Sequence, residues 1–213
     1  GDIVEQMKEM GLFGATISPE YGGLGLPART YAELVTRISS YWMAITGIFN
    51  SHLMMAAAVE RFGTDDQREA WLPRFASGEV RGGLALTEPN AGTDLQAIRS
   101  TAVRDGDDYL INGTKTWITN GIQGSCVALL VKTDPSAEPR YKGMSILITQ
   151  TKDASGKDLA GVKNGNKLEK LGYKGIDSGE LIYEGYECDA ELCLVGGEEG
   201  KGFFMATGGL EIG

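Results

Sequence analysis

Apolar residues in the first 82 positions recur at the spacing of α-helices. The clearest stripe consists of Tyr31, Leu34, Val35 and Ile38. Its i, i+3, i+4, i+7 spacing is that of the buried face of an amphipathic helix. A second apolar stretch over residues 43–62 predicts another helix, which ends at Gly63 because glycine is a frequent helix stop.

Two further signals mark helix ends in the same region. Residues 2–10 predict a first helix that stops at Gly11. Thr64 and Gln67 have the spacing of a capping box, in which the two side chains satisfy otherwise unpaired N–H groups at the start of a helix. The part of the chain before Gly82 is therefore predicted to be all helical.

From Gly83 onward the apolar period changes to that of β-strands. Runs rich in Val, Ile, Thr and Tyr are separated by the hairpin signals Asp105-Gly106, Asn112-Gly113 and Asn120-Gly121. Seven strands are predicted, over residues 83–86, 101–104, 109–111, 114–117, 126–132, 144–149 and 180–183. Residues 153–166 are rich in Gly, Lys and Asp and are predicted to form an exposed excursion.

Together these patterns predict an α+β fold. An all-α N-terminal domain is expected over residues 1–82 and an antiparallel β-barrel or sandwich over residues 83–197, because no helix interrupts the strands. Residues 198–213 restart a helical pattern whose apolar residues have no later partner in the chain. We therefore expect a C-terminal helix truncated at Gly213, and a chain that is a fragment of a longer protein.

Composition narrows the class of protein and of partner. Apolar residues make up 42% and charged residues 23% of the chain, as in a folded globular protein. The formal net charge is −9 and no Lys and Arg cluster appears, so no nucleic-acid surface is expected. The longest apolar runs fall far short of the roughly 20 residues that cross a bilayer, so no membrane span is expected.

Cysteine and histidine usage excludes several kinds of site. Cys126, Cys188 and Cys193 form no C-x-x-C pair and are odd in number, so neither a disulfide framework nor a zinc site is indicated. A reducing compartment is the simpler inference, either a bacterial-like cytoplasm or, alternatively, a mitochondrial matrix. The single histidine, His52, lies in an apolar run and is expected to pack or to cap.

The candidate chemistry lies in residues 84–94 and in Trp117-Ile118-Thr119. In the first segment Pro89 and Gly92 shape a loop that brings hydroxyl, amide and carboxylate groups together. In the second, a regular strand would place the Trp117 ring and the Thr119 hydroxyl on one face, which suits a planar, hydrogen-bonding cofactor. An ordinary loop and core would also explain either segment taken alone.

The order of the motifs is more specific than either segment. Leu86-Thr-Glu-Pro, Ala91-Gly-Thr-Asp94, Ile111-Asn-Gly-Thr-Lys115 and Trp117-Ile-Thr-Asn-Gly121 follow one another at fixed separations. In this the chain resembles the acyl-CoA dehydrogenase family, over residues 11–213. The resemblance implies an FAD cofactor, an acyl-CoA substrate and a helical bundle beyond Gly213.

The resemblance also implies roles for individual residues. Cofactor binding is implied for Leu84, Leu86, Thr87, Gly92, Thr93, Trp117, Ile118 and Thr119. Among these, Thr87 and the backbone of residues 84–86 would face the pyrimidine side, Trp117 would pack on the ring and Thr119 would lie near N5. Thr93 would approach the pyrophosphate, with a hydroxyl retained where serine is more usual. Substrate contacts are implied for Thr93 and Glu211, the latter near the CoA moiety.

Family members remove an α-proton with a glutamate while a β-hydride passes to flavin N5, forming a trans-2-enoyl thioester. Positions matching that glutamate lie beyond Gly213 or at Gly213 itself, and glycine has no carboxylate. No catalytic residue is therefore expected within this chain, and the chain alone is expected to be inactive. Glu88 is the alternative base, but next to Pro89 it is expected to hold the turn by accepting backbone N–H bonds.

Several functions share these motifs. A flavin monooxygenase or oxidase, a dehydrogenase for carrier-protein-bound acyl groups, and a non-catalytic flavin-binding relative all stay open. The family further implies an electron-transferring flavoprotein as acceptor and a homotetramer or dimer. The sequence does not specify the length or branching of the acyl group.

Overall fold

Three α-helices precede the sheet in the computed structural model, which describes residues 2–210. Their bounds are Asp2–Glu9 for α1, Ala28–Phe62 for α2 and Asp65–Ala76 for α3. Short 3₁₀ turns at Leu12–Gly14 and Pro19–Tyr21 connect α1 to α2. The predicted stop at Gly11 is confirmed, because this residue has the left-handed conformation (φ 71°) that glycine tolerates.

The two predicted helical segments are both present, and a kink joins them into one long element, α2. Trp42 (φ −155°, ψ 95°) kinks it between the two predicted segments. No Gly or Pro lies nearby, so the chain resumes the helix after one irregular residue. By length and composition α2 could cross a membrane, but 61% of its apolar window is buried inside the protein, as in a core helix.

The predicted capping box at the start of α3 is confirmed and also joins the helices to the end of the sheet. The Gln67 N–H donates to Thr64 Oγ1 at 3.2 Å, and the Thr64 N–H donates to Gln67 Oε1 at 3.0 Å. The Gln67 amide is buried and donates onward to the carbonyls of Glu191 (2.7 Å) and Leu194 (2.6 Å). One side chain thus caps a helix and fixes its position against the segment after the last strand.

The β region forms a curled, seven-stranded sheet within the described residues. Its strands are β1 (Gly82–Ala85), β2 (Thr101–Asp105), β3 (Asp108–Thr119), β4 (Cys126–Lys132), β5 (Met144–Gln150), β6 (Val162–Lys167) and β7 (Ser178–Asp189). They are ordered β1-β4-β2-β3-β7-β6, and β5 pairs with β4. Two helices follow, the short α4 (Ala190–Cys193) and α5 (Gly202–Leu210).

The α+β class is confirmed, while the sheet is mixed rather than wholly antiparallel. β1 and β4 run parallel, in register from Gly82↔Cys126 to Ala85↔Leu129. β2 also meets β4 in parallel, at one residue pair. The long connection between β1 and β4 makes either direction possible, since only a tight hairpin requires antiparallel neighbours.

The predicted hairpin turn at Asn112-Gly113 is wrong, because strand β3 runs through it. Asp105-Gly106 does turn between β2 and β3, but β3 continues through Asn112-Gly113, where the pairing with β7 shifts register. A Cβ atom added at Gly113 would lie 2.2 Å from Ser100 Oγ, and the residue has φ 149°. The dipeptide therefore lies opposite a bulge at Gly185 of β7 and approaches Ser100 closely, and it does not form a turn.

Strand β6 (Val162–Lys167) overlaps the end of residues 153–166, which were predicted to form an exposed excursion. It pairs with β7 and is mostly exposed or half-buried. The sequence of β6, Val-Lys-Asn-Gly-Asn-Lys, has neither β-branched enrichment nor period-two alternation. Its pairing comes from the neighbouring strand, so periodicity alone could not predict it.

Strand β4 separates two layers of the core. Alternate residues enter different clusters, with Cys126, Ala128 and Leu130 on the side of α2 and α3, and Val127, Leu129 and Val131 on the other side. Burial on both faces explains the continuous apolar run in this strand. The helix-side cluster also places α2 against β1, where the candidate site lies.

His52 of α2 is fully buried between the rings of Phe13 and Phe75, each in edge-to-face contact. Its Nε2 lies 3.0 Å from the Phe75 carbonyl oxygen, and its Nδ1 lies 3.4 Å from the Gly82 nitrogen. A neutral ring protonated at Nε2 satisfies both contacts. Burial lowers the pKa of His52 to about 4. The predicted packing role is confirmed.

This burial makes stability depend on pH in the acid range. Between pH 6.5 and 4 the unfolded chain binds a proton at His52 that the folded protein does not, so stability falls as the pH falls, by roughly 3 kcal/mol in total. Urea unfolding at several pH values checks this. A His52→Gln variant keeps every carboxylate, so its stability should fall less steeply over the same interval. Equal slopes in the two proteins would contradict the assignment.

Candidate functional site

The loop after β1 is a closed turn. The Glu88 N–H donates to the Ala91 carbonyl at 2.9 Å, and the Ala91 N–H donates to the Glu88 carbonyl at 3.1 Å. The turn reverses the chain at Pro89 and leaves Thr87 half-buried on its near side. Further on, Asp94 Oδ1 accepts the Gln96 N–H at 3.2 Å and caps a 3₁₀ turn, so its role here is local.

The second candidate segment is the irregular end of β3. Trp117 has φ 60°, and the pairing with β7 shifts register between Lys115 and Ile118. The regular alternation assumed from the sequence is therefore interrupted. The bulge leaves Trp117 54% exposed, buries Ile118 and leaves Thr119 half-buried.

The two segments meet beside α2 and enclose a cavity of about 200 Å³. Its lining residues are Ser51, Met54, Leu84, Leu86, Thr87, Trp117, Ile118 and Thr119. Six of these eight were predicted as cofactor contacts. The other two, Ser51 and Met54, lie on α2 and belong to neither candidate segment.

Two further predicted cofactor contacts lie outside this cavity. Gly92 and Thr93 are exposed and outside this cavity, and a Cβ atom added at Gly92 would meet no protein atom within 4 Å. Space for a ligand therefore exists beside the loop at Gly92. Glu211 and Gly213 fall outside the described residues.

Asn120 fixes the spacing of the cavity walls. Its buried Nδ2 donates to the carbonyls of Ile48 in α2 (2.8 Å) and Gly82 in β1 (2.9 Å). Gly83 allows a further close approach, because a Cβ atom there would lie 2.7 Å from the Thr119 carbonyl oxygen. Helix α2, strand β1 and the end of β3 are thus held together directly behind the cavity.

Glu88 has the structural role that the sequence predicted. Its carboxylate accepts the N–H groups of Arg99 (2.6 Å) and Ser100 (3.0 Å), and Lys115 Nζ lies 2.8 Å away. Burial raises the pKa of Glu88, but the Lys115 charge and these hydrogen bonds outweigh it, so the pKa lies below its usual value. A carboxylate held in this way is a poor proton acceptor.

Lys115 is the partner that sequence reasoning left without a role. Its side chain is fully buried, and its Nζ also donates to the Leu86 carbonyl at 3.1 Å. Burial lowers the pKa of Lys115 to about 8, although the Glu88 charge raises it. An ammonium group is therefore bound under the loop that forms one wall of the cavity.

The cavity suits the polar edge and planar face of a flavin ring. Aliphatic side chains and the Trp117 indole supply apolar walls, and Thr87 and Thr119 supply hydroxyl groups at the rim. Among residues 2–210, neither hydroxyl is engaged in a hydrogen bond with the protein, so both are available to a ligand. The residues present therefore fit the cofactor that the motifs imply.

Comparison with known proteins agrees with this fold. Residues 1–79 match the family profile described as acyl-CoA dehydrogenase, N-terminal domain, and residues 83–186 match the profile of the middle domain. Among curated proteins, (2S)-methylsuccinyl-CoA dehydrogenase of Cereibacter sphaeroides is 37% identical over 205 residues, covering 95% of this chain and 37% of that protein.

Two solved structures share this fold. Acyl-CoA dehydrogenase from Geobacillus kaustophilus matches with a TM-score of 0.86 and 35% identity, over 97% of this chain and 52% of that one. An acyl-CoA dehydrogenase complexed with FAD from Bacillus anthracis matches with a TM-score of 0.87 and 29% identity, over 99% and 34% respectively. The chain thus spans about half or less of the length of these relatives. With both domain profiles matched and the fold shared, the chain belongs to the acyl-CoA dehydrogenase family.

Proposed function

We propose that the protein containing this chain is an FAD-dependent acyl-CoA dehydrogenase that oxidises an acyl-CoA thioester to the trans-2-enoyl-CoA. The observation that carries the proposal is the cavity in which Thr87, Trp117 and Thr119 come together beside α2. A relative of the same fold is complexed with FAD, which supports the same cofactor here. Bound FAD would supply the acceptor for the substrate's β-hydride.

The residues of this chain would bind and orient the cofactor. The Thr87 and Thr119 hydroxyls would hydrogen-bond to its polar edge, and the Trp117 indole would cover the ring and exclude water. Gly92 and Thr93 would face its phosphate-bearing part, where the open space beside Gly92 permits a close approach. None of the eight lining residues carries a carboxylate. Following the family pattern, we propose that Glu211 contacts the CoA moiety and that the α-proton base is supplied by a part of the whole protein that matches the family's C-terminal bundle.

The electron acceptor and the oligomeric state are proposed from the properties of the family, and the compartment from the state of the cysteines. We propose an electron-transferring flavoprotein as acceptor, a homotetramer or dimer as the assembly, and a reducing compartment such as the cytoplasm. The three cysteines support the last point, because all of them are free and buried. Rapid reoxidation by O₂ with an oxygenated product would instead indicate an oxidase or monooxygenase, and activity confined to carrier-protein thioesters would indicate that class of substrate.

Trp117→Ala tests the proposed cofactor site with little risk to the fold. The side chain is 54% exposed, so its loss should change stability little, whereas loss of an aromatic face should weaken FAD binding about tenfold or more. FAD fluorescence titration and thermal unfolding measure the two effects. Trp42→Ala is the matched control, since that indole is 48% exposed and lies outside the cavity. Equal FAD affinity in Trp117→Ala and wild type would contradict the proposed site.

A further inference from the structure

The Glu88–Lys115 pair differs from the other ion pairs of residues 2–210. Its side chains are 6% and 0% exposed, whereas every other pair has at least one side chain that is more than half exposed. Removing two charges from water is costly, and well-packed apolar residues in their place are often equally stabilising. Stability alone therefore does not explain why the fold keeps this pair.

The contacts of the pair surround one residue of the cavity wall. Lys115 Nζ binds the Leu86 carbonyl at 3.1 Å and Glu88 Oε1 at 2.8 Å, on either side of Thr87 in the chain. The Thr87 carbonyl itself accepts the Thr116 N–H at 2.9 Å. Three consecutive loop residues are thus bound to two consecutive residues of β3.

The same two residues of β3 lie immediately before Trp117. The position of Thr87 relative to Trp117 is therefore set by contacts of Thr87 and its two chain neighbours with the two residues that precede Trp117. Glu88 additionally binds the N–H groups of Arg99 and Ser100, so the far end of the loop cannot shift independently.

We infer that the buried Glu88–Lys115 pair is a positioning device, which holds Thr87 at a fixed position relative to Trp117, so that both residues can contact the flavin that the cavity would bind. This inference rests on the proposed function. Neither residue lines the cavity, so both would act through Leu86, Thr87 and Trp117.

A double variant separates positioning from stability. Glu88→Gln together with Lys115→Met removes both charges and leaves no unpaired buried ion, so its thermal midpoint should recover much of what either single variant loses. The tie between the loop and β3 is still lost in the double variant. We expect its FAD dissociation constant to rise at least tenfold and the visible spectrum of the bound flavin to shift.

A control variant and a second test variant complete the experiment. The double variant Lys163→Met/Glu184→Gln removes an exposed pair between β6 and β7 and should leave FAD binding unchanged. Should the double variant not fold, Lys115→Gln is the second test, because its amide can still donate a hydrogen bond and Glu88 keeps its two backbone N–H donors; its FAD dissociation constant is expected to rise severalfold.

The outcomes distinguish the two proposals. If wild type binds FAD and Glu88→Gln/Lys115→Met binds it within twofold, with an unchanged spectrum, the positioning inference is wrong and the proposed function stands. Recovery of thermal stability together with full recovery of FAD affinity would likewise show a purely structural pair. If wild type binds no FAD, the proposed function fails and the positioning inference fails with it.

Discussion

Replacing Gly82 with alanine is expected to lower the free energy of unfolding by about 3 kcal/mol. A Cβ atom at this position would lie 1.6 Å from the Cys126 carbonyl oxygen and 2.6 Å from the carbonyl carbon. Both atoms belong to the backbone of β4, which pairs with β1 at this residue, so no side-chain rotation relieves the clash. The two parallel strands must move apart.

The contacts of Gly82 increase this effect. Its nitrogen faces His52 Nδ1, and its carbonyl accepts the Asn120 amide, so movement of β1 weakens both contacts at once. Urea unfolding of Gly82→Ala and Gly172→Ala measures the difference. A Cβ atom at Gly172 meets no atom within 4 Å, so this control should resemble wild type. Similar stability of the two variants would contradict the observed β1–β4 pairing.

Asn120→Ala is expected to destabilise the protein by a similar amount, about 3 kcal/mol. The substitution leaves the Ile48 and Gly82 carbonyls without their amide donor in a buried place. Asn120 also has φ 62°, which alanine adopts only with strain. Because the residue follows Thr119 and joins α2 to β1, FAD affinity should fall as well.

Asn120→Gly separates the two causes. Glycine removes the same hydrogen bonds but adopts the positive φ freely, so this variant should be about 1 kcal/mol more stable than Asn120→Ala. Chemical unfolding of both variants, with FAD titration, gives the comparison. If Asn120→Ala were as stable as wild type, the amide would not join the two elements.

The local pattern of apolar and polar residues was sufficient to predict an element whose conformation depends mainly on its own residues. Apolar, β-branched runs and turn signals located β2, β4 and β5 closely, and the Thr64–Gln67 spacing identified the start of α3. Periodicity failed where a partner decides the structure. β6 exists because β7 pairs with it, and the direction of β1 follows from β4, which lies far along the chain.

In the candidate site too, residues in local motifs could be predicted from the sequence, whereas residues whose role depends on a distant partner could not. Thr87 and Trp117 could be identified because each belongs to a compact motif. Ser51 could not, since it reaches the cavity only through the packing of α2 against β1. Lys115 stood within a quoted motif, but its role depends on Glu88, 27 positions earlier. The cofactor roles of the site residues and the boundaries at residues 82 and 197 stay predictions.

The most direct test of the account is an anaerobic titration of the longest natural polypeptide that carries this sequence, after reconstitution with FAD, against acyl-CoA thioesters of increasing length and branching. The account predicts a yellow protein whose flavin absorbance is lost stoichiometrically with one class of thioester, with the trans-2-enoyl-CoA as product. A protein that binds no FAD, or whose bound flavin is unaffected by every thioester, would contradict it.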